Sequence, residues 1–171
     1  MTVSPHRDLT GIFKAYDVRG VVPDELDEEI ARSIGSAFAE WSGADAVAVG
    51  RDSRLSSPAL AVALSEGIAS RGTDVIDIGL ASTDLLYFAS GSRDVAGVML
   101  TASHNPPEYN GMKFWLPGAR PVGEDPGLAE IRDLAERHAA GASAITGAVK
   151  GEDLLEAYVE HVLSFVDVSL M

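Results

Sequence analysis

Three short apolar runs, each set among helix-like stretches, limit most strongly what this chain can fold into. The runs are AVAV at Ala46–Val49, DVIDIG at Asp74–Gly79 and GVMLTAS at Gly97–Ser103. Apolar runs of this length are typical of strands, and a continuous apolar centre indicates burial on both faces of a sheet. Their alternation with helices predicts an α/β protein with a layered, mixed, mostly parallel sheet and helices on both faces.

Between these runs, hydrophobic residues recur every three or four positions, which is the spacing of one helix face. The clearest stripe is Ile30, Ile34, Phe38 and Trp41, which follows the acidic run DELDEE at Asp24–Glu29. Carboxylates near a helix start are stabilised by the positive end of the helix dipole. The acidic run is therefore interpreted as a helix start and not as a metal site.

Local signals predict where further elements begin. Ser57 is expected to cap a helix whose first position is Pro58, since serine is favoured as an N-cap and proline in the first turn. Asn110–Gly111 is a turn signal and is expected to lead into a strand at Met112–Leu116. A last helix, apolar on more than one side, is predicted over Glu152–Val166.

The length of 171 residues is enough for one domain with its own core. We predict that residues 1–150 form this domain and that residues 151–171 form a helix leading toward a second domain. Thirteen basic and 26 acidic residues give a net charge of −13. This charge disfavours a nucleic-acid partner, because binding phosphates along a nucleic acid needs a basic surface.

The composition also narrows the cellular setting. The chain has no cysteine, which excludes disulfides and thiolate metal sites and fits a reducing compartment. Its first residues, MTVSPHRDLT, contain no apolar segment of a secretory signal. No run reaches the roughly 20 apolar residues of a membrane helix. A cytoplasmic protein without a membrane partner is therefore expected.

The adjacent Ser103 and His104 first suggest a nucleophile with its base. An α/β-hydrolase, however, exposes its serine in Gly-x-Ser-x-Gly, and no serine here has glycines at both positions. Neighbouring residues rarely face each other, and the other histidines are His6 in the tail and His138 and His161 on predicted surface helices. Sequence motifs that bind nucleotide phosphates or zinc are absent too. Serine hydrolysis, nucleotide binding and zinc binding are therefore all poorly supported.

Phosphoryl transfer suits the serine better, because a serine can carry a phosphoryl group while cations stabilise its charge, usually with a divalent metal. Basic residues are scarce, yet five lie in or next to predicted loops and strand ends: Lys14, Arg19, Arg51, Arg54 and Lys113. Ligands gather at the carboxyl ends of parallel strands, where Arg51 and Ser103 are predicted to lie. Pro106 and Pro107 are expected to stiffen the serine turn, since each restricts the residue before it.

Three motifs carry a resemblance to a known family. TASHNPPEYNGMKF (Thr101–Phe114) closely resembles the phosphoserine loop of the α-D-phosphohexomutases. FKAYDVRG (Phe13–Gly20) resembles their N-terminal motif in its phosphomannomutase/phosphoglucomutase form, and GRDSR (Gly50–Arg54) resembles a third. The motifs occur in the expected order, and the similarity covers nearly the whole chain. The resemblance implies the N-terminal domain of such an enzyme, with a domain I fold.

The resemblance also implies a reaction. Ser103 would donate its phosphoryl group to a hexose 1- or 6-phosphate, and the bisphosphorylated sugar would return its other phosphoryl group to Ser103. Mg²⁺ would bind a phosphoryl oxygen on Ser103. Lys113 would serve as a general acid/base or a phosphate contact, and Arg19 would bind phosphate through its planar guanidinium. For Arg19 the alternative is a surface ion pair, and for Lys113 a solvated position on an edge strand.

Other implied roles are less specific. His104 would contact the phosphoryl oxygens or have a purely structural role in the loop. Tyr16 would line the sugar site, although a core tyrosine is an alternative interpretation, and Asn105 would join the substrate site. Arg51 and Arg54 are expected to anchor loops through ion pairs rather than to touch substrate.

Several motifs of the family are absent, which limits what this chain is expected to do alone. The metal loop Asp-Gly-Asp-Gly-Asp-Arg, the sugar-recognition loop and the C-terminal phosphate loop are not found. We therefore expect the front part of a longer protein, partnered by its remaining domains and inactive as a mutase alone. The preference between mannose and glucose stays open. The alternatives are a noncatalytic phosphosugar-binding or interaction domain and, more distantly, a serine hydrolase.

Overall fold

A computed structural model describes residues 8–123, 127–137, 144 and 146–166. Strands and helices alternate along most of the described chain, as the sequence predicts. In chain order the elements are β1 (Val18–Val21), α1 (Glu28–Ser42), β2 (Ala46–Arg51), α2 (Ser57–Ala69), β3 (Asp74–Leu80), α3 (Thr83–Arg93), β4 (Ala96–Leu100), β5 (Tyr109–Leu116), β6 (Arg120–Pro121), α4 (Ala129–Arg137), β7 (Val149–Gly151) and α5 (Leu155–Leu163).

The strands form one mixed sheet in the order β1-β5-β4-β2-β3-β7, with β6 paired to β5. The strands β4, β2, β3 and β7 run parallel to one another, whereas β5 is antiparallel to β4, β1 and β6. Arg51 at the end of β2 pairs with Leu100 at the end of β4. The predicted common edge for Arg51 and Ser103 is therefore confirmed, since Ser103 follows β4 by three residues.

Helices cover both faces of the sheet, which confirms the predicted layered α/β fold. Val47 and Val49 of β2 belong to the larger core, which is built with residues of α1, α2 and α4. Ala48 between them belongs to a second core with Met99 of β4, residues of α3, and Leu154, the residue just before α5. All five residues of β4 are buried, as expected for a central strand covered on both sides.

The first helix begins as its acidic run predicts. Asp27 is the N-cap, and its carboxylate accepts a hydrogen bond from the backbone N–H of Ile30 at 2.8 Å. Ile34 and Phe38 of the predicted stripe are fully buried. The acidic run is therefore a helix start, consistent with favourable placement of carboxylates at the helix N-terminus.

The predicted cap of α2 is wrong by one residue. Ser56 occupies the N-cap position and Ser57 is the first helical residue. The hydroxyl of Ser57 instead donates to Asp52 Oδ1 at 2.6 Å. The sequence signal for a serine at a helix start was correct, but Ser57 hydrogen-bonds to the half-buried carboxylate of Asp52 instead of capping the helix.

The turn predicted at Asn110–Gly111 is also wrong, because both residues lie inside β5. The side chain of Asn110 is buried and donates to the hydroxyls of Ser56 and Ser57, both at 2.9 Å. A Cβ atom added at Gly111 would lie 2.2 Å from the carbonyl oxygen of Val18 in β1. The glycine thus permits close approach of two strands, a role that short-range turn patterns do not reveal.

The helix predicted over Glu152–Val166 is observed as α5, Leu155–Leu163. It has no buried residue, and Val159, Val162 and Leu163 are exposed. The aromatic rings of Tyr158 and His161 on this helix pack against Phe88 of α3. The ring of Phe165, just after the helix, packs against His161. Of the helices that the structure describes, none has both the length and the apolarity needed to cross a membrane.

Candidate active site

The connection from β4 to β5, residues 101–108, forms the serine loop. Ser103 is exposed on this loop and has a φ of +53°, a left-handed conformation that is uncommon for a residue other than glycine. Its backbone N–H donates to Thr101 Oγ1 at 2.9 Å, and the N–H of Asn105 donates to the carbonyl of Ala102 at 3.0 Å. These two bonds stabilise a tight turn that presents the Ser103 hydroxyl at the end of β4.

One arginine holds the serine loop through its backbone. Arg54 Nη1 donates to the carbonyls of Pro106 at 2.7 Å and Tyr109 at 2.9 Å. Arg54 Nη2 donates to the carbonyls of Ser103 and Asn105, each at 2.8 Å. Because one planar guanidinium spans four carbonyls, a change in the loop's shape would break several hydrogen bonds at once.

A buried polar network supports Arg54. Asp52 Oδ2 lies 3.2 Å from Arg54 Nε, and Asp52 Oδ1 accepts from Ser57. Ser57 in turn accepts from the Asn110 amide. The network joins the end of β2, the start of α2 and the start of β5, and confirms the prediction that Arg54 anchors a loop through an ion pair. Arg51, predicted to act likewise, forms no ion pair with any residue that the structure describes.

Arg54→Ala should lower the free energy of unfolding by about 2–4 kcal/mol, because the largely buried Asp52 would keep its charge without a cationic partner and the four loop carbonyls would lose their donor. Chemical denaturation measures this loss, and amide exchange of residues 102–109 should accelerate. Arg132→Ala is a matched control, since Arg132 pairs with the exposed Asp133. This control should cost less than about 1 kcal/mol. Equal losses in both variants would contradict the anchoring role.

A second polar cluster lies beside the serine loop and joins it to β1 and β5. Arg19 Nη1 donates to Asn105 Oδ1 at 2.6 Å, and Arg19 Nη2 donates to Asp17 Oδ2, also at 2.6 Å. Lys113 Nζ donates to the same Asp17 oxygen at 3.1 Å. The pairing of Arg19 with Gly111 across β1 and β5 places these side chains together. The structure thus brings Arg19, Asn105 and Lys113 to one place.

The charge of this cluster favours an anion. Arg19 and Lys113 supply two positive charges against one carboxylate, that of Asp17. The Arg54–Asp52 pair beside it is balanced. A locally positive site on a chain of net charge −13 is the feature that an anionic ligand needs in order to overcome long-range repulsion.

The other two predicted cations, Lys14 and Arg51, differ from these three in their contacts. Lys14 is exposed and donates to the carbonyl of Gly11. Neither Lys14 nor Arg51 forms a hydrogen bond with the serine loop in the part of the chain described. Of the five cations singled out in the sequence, Arg19, Arg54 and Lys113 therefore contribute to the candidate site.

Tyr16 is 77% exposed, which excludes the alternative of a core tyrosine. With Lys113 it lines a cleft of about 380 Å³ next to Tyr87 and Trp115. An exposed ring beside a cationic side chain, at the mouth of an aromatic cleft, is suited to contact a small polar ligand. The position is compatible with a substrate-binding role for Tyr16.

His104 is exposed, and its Nδ1 lies 3.4 Å from Ser103 Oγ, longer than a usual hydrogen bond. In the described part of the chain, no carboxylate hydrogen-bonds to His104, so the third member of a hydrolytic triad is not formed there. His161 lies on the surface of α5 as predicted, whereas His6 and His138 lie outside the described residues. The geometry therefore gives no support to a serine hydrolase.

The described residues do not form a complete metal site. No three His, Cys, Asp or Glu side chains among them are grouped closely enough to hold a metal ion. Mg²⁺ at Ser103 would find one donor on this serine or on a phosphoryl group attached to it.

Sequence reasoning missed three polar residues of the site. Asp17 and Asp52 lie inside the motifs FKAYDVRG and GRDSR but drew no attention as single residues. Asn110 was interpreted as part of a turn. The place of Asn110 directly before an apolar strand could have indicated a buried amide. A buried amide requires hydrogen-bond partners, which would have pointed to a polar network around it.

The chain is similar to known proteins over most of its length. Residues 10–141 match the family model described as phosphoglucomutase/phosphomannomutase, alpha/beta/alpha domain I. The chain is 49% identical to phosphohexose mutases of Xanthomonas campestris over 160 residues, covering 93% of this chain and 36% of the relative. It is 44% identical to a phosphomannomutase of Vibrio cholerae over 166 residues, covering 94% and 36%.

The fold is similar as well. A crystal structure of a phosphoglucomutase/phosphomannomutase family protein from Burkholderia thailandensis matches 91% of this chain with a TM-score of 0.77 and 37% identity. The match covers 36% of that chain. This chain therefore spans a little over a third of the length of these relatives. With three motifs, the fold and the family model in agreement, the chain belongs to the phosphoglucomutase/phosphomannomutase family, of which it carries domain I.

Proposed function

We propose that this chain is the part of a phosphohexomutase that carries the transferred phosphoryl group on Ser103, and that the full-length gene product interconverts hexose 1- and 6-phosphates in the cytoplasm. The observation that carries the proposal is the placement of Ser103. It is exposed in a constrained left-handed turn, next to the cationic cluster of Arg19 and Lys113.

The arrangement suits phosphoryl transfer for a physical reason. A phosphoryl group in transfer spreads negative charge over its oxygens, so positioning and cations contribute more than an adjacent base does. The Arg54 clamp and the two prolines limit the conformations of the loop. Since His104 makes only a long contact with Ser103, its proposed role is to contact phosphoryl oxygens or to shape the loop.

In the proposed first step, the bond between Ser103 Oγ and phosphorus breaks as a bond forms to the free hydroxyl of the phosphosugar. The hydroxyl loses its proton to a general base, and Ser103 regains a proton. The bisphosphorylated sugar then turns around and transfers its other phosphoryl group back to Ser103, which reverses the bond changes. The net result moves one phosphoryl group between C1 and C6.

Named residues would divide this work. Lys113 would exchange the proton or contact the phosphoryl oxygens, and Arg19 would bind phosphate with its planar guanidinium. Tyr16 and Asn105 would contact the sugar phosphate. Mg²⁺, where bound to a phosphoryl oxygen on Ser103, would supply charge stabilisation for the leaving serine oxygen.

The proposal is tested by intact mass measurement of the full-length gene product after exposure to glucose 1,6-bisphosphate. We expect a mass gain of one phosphoryl group, located on Ser103 by peptide mapping. Binding of the sugar without any mass gain would instead favour a noncatalytic phosphosugar-binding domain. The 171-residue chain alone is expected not to turn over glucose 1-phosphate, since it offers no complete metal site among its described residues.

A further inference from the structure

We propose that Asp17 is a positioning residue that orients Lys113 and Arg19 toward the phosphoryl group, a role that rests on the proposed function of Ser103. Asp17 lies within the motif FKAYDVRG, but the sequence alone did not identify it as a candidate site residue. Its carboxylate is the shared partner of both cations.

The burial of Asp17 distinguishes its ion pairs from ordinary ion pairs at the protein surface. Its side chain is only 10% exposed, whereas those of Arg19 and Lys113 are 23% and 29% exposed. A carboxylate at this depth has few alternative partners, so it holds the two cations more firmly than a solvated carboxylate would. The two cations remain open to a ligand while their counter-ion lies beneath them.

The carboxylate also connects three separate segments. Asp17 precedes β1, Lys113 lies on β5, and Arg19 reaches Asn105 of the serine loop. The backbone around Asp17 is fixed, because its carbonyl accepts from the N–H of Lys14 at 2.8 Å. Movement of this one carboxylate would therefore displace both cations relative to Ser103.

The charge balance distinguishes positioning from simple attraction. The negative charge of Asp17 reduces the repulsion between Arg19 and Lys113 and leaves the cluster with one net positive charge. Removing the carboxylate would increase the positive charge and strengthen attraction for phosphate, but it would also release both side chains. Asp17→Asn should therefore bind inorganic phosphate at least as tightly as the wild type while transferring a phosphoryl group more slowly.

The first measurement follows Lys113 directly and needs no catalysis. In the full-length gene product, acetylation of Lys113 is compared by peptide mapping with that of Lys150, which is exposed on β7. We expect Asp17→Asn to raise the Lys113-to-Lys150 ratio severalfold, because the amine loses its carboxylate partner. Asp17→Glu should give an intermediate ratio, since it restores the charge with a longer side chain.

The second measurement separates kcat from KM for mutase turnover. Asp17→Asn should lower kcat by about 10- to 100-fold with little change in KM, as expected for misplaced catalytic groups. Glu66→Gln is the matched control, because Glu66 forms an ion pair with Arg32 between α1 and α2, away from the serine loop. It should change the midpoint of thermal unfolding but neither kcat nor the labelling ratio.

The outcomes are distinguishable from those of the proposed function. An unchanged labelling ratio, or a raised ratio with unchanged kcat, would overturn the positioning role of Asp17. A wild-type protein that never gains a phosphoryl group would overturn the proposed function, and the labelling ratio would still decide whether Asp17 orients Lys113.

Discussion

Replacing Ser103 by alanine should abolish both the phosphoryl mass gain and the mutase activity of the full-length gene product. The reason is chemical, since alanine offers no oxygen to carry the phosphoryl group and the structure presents the hydroxyl of Ser103 to solvent at the end of β4. The loss should be specific to activity. Alanine can adopt the same backbone at a similar cost, so we expect the free energy of unfolding to change by less than about 0.5 kcal/mol.

Ser103→Gly separates the backbone from the chemistry at the same position. Glycine populates a φ of +53° without the penalty that other residues pay there, so this variant should be as stable as the wild type or up to about 1 kcal/mol more stable. It should nevertheless be inactive. Ser92→Ala, an exposed serine on α3, is the control and should keep full activity. Activity retained in Ser103→Ala would refute the carrier role.

The second large effect is expected at Lys113. Lys113→Met preserves side-chain length and removes the charge, and it should lower kcat of the full-length gene product by about 10²- to 10⁴-fold, the usual contribution of a general acid or base. Steady-state kinetics with glucose 1-phosphate measures this loss. Lys150→Met, at an exposed position on β7, should leave the kinetics unchanged.

Lys113→Arg decides between the two roles left open for this lysine. Arginine keeps the positive charge but does not give up its proton under ordinary conditions. If Lys113 only contacts phosphate, arginine should restore most of the activity lost in Lys113→Met. If Lys113 exchanges a proton with the sugar hydroxyl, arginine should remain as poor as methionine. Near wild-type kcat in Lys113→Met would exclude both roles.

Much of the fold follows from local sequence pattern. The stripe of Ile34 and Phe38 predicts a helix, and the uniformly apolar run of β4 predicts a strand covered on both faces, because burial depends directly on the spacing of apolar side chains. Errors arose where a polar residue has a distant partner. Ser57 and Asn110 were interpreted by short-range rules for caps and turns, but each is a member of the buried network behind Arg54.

The candidate site shows the same division. The sequence alone predicted Ser103 as the carrier and placed it after a strand, since the motif around it is continuous in the chain. It did not identify Asp17 as the shared partner of Arg19 and Lys113, or Arg54 as the clamp on four carbonyls. The Asp17–Lys113 contact joins residues 96 positions apart, and the contacts of Arg54 join residues 49 to 55 positions apart. They depend on how β1 pairs with β5 and on how β2 lies beside β4, and only the tertiary structure decides such pairings because local side-chain patterns do not encode which strands become neighbours.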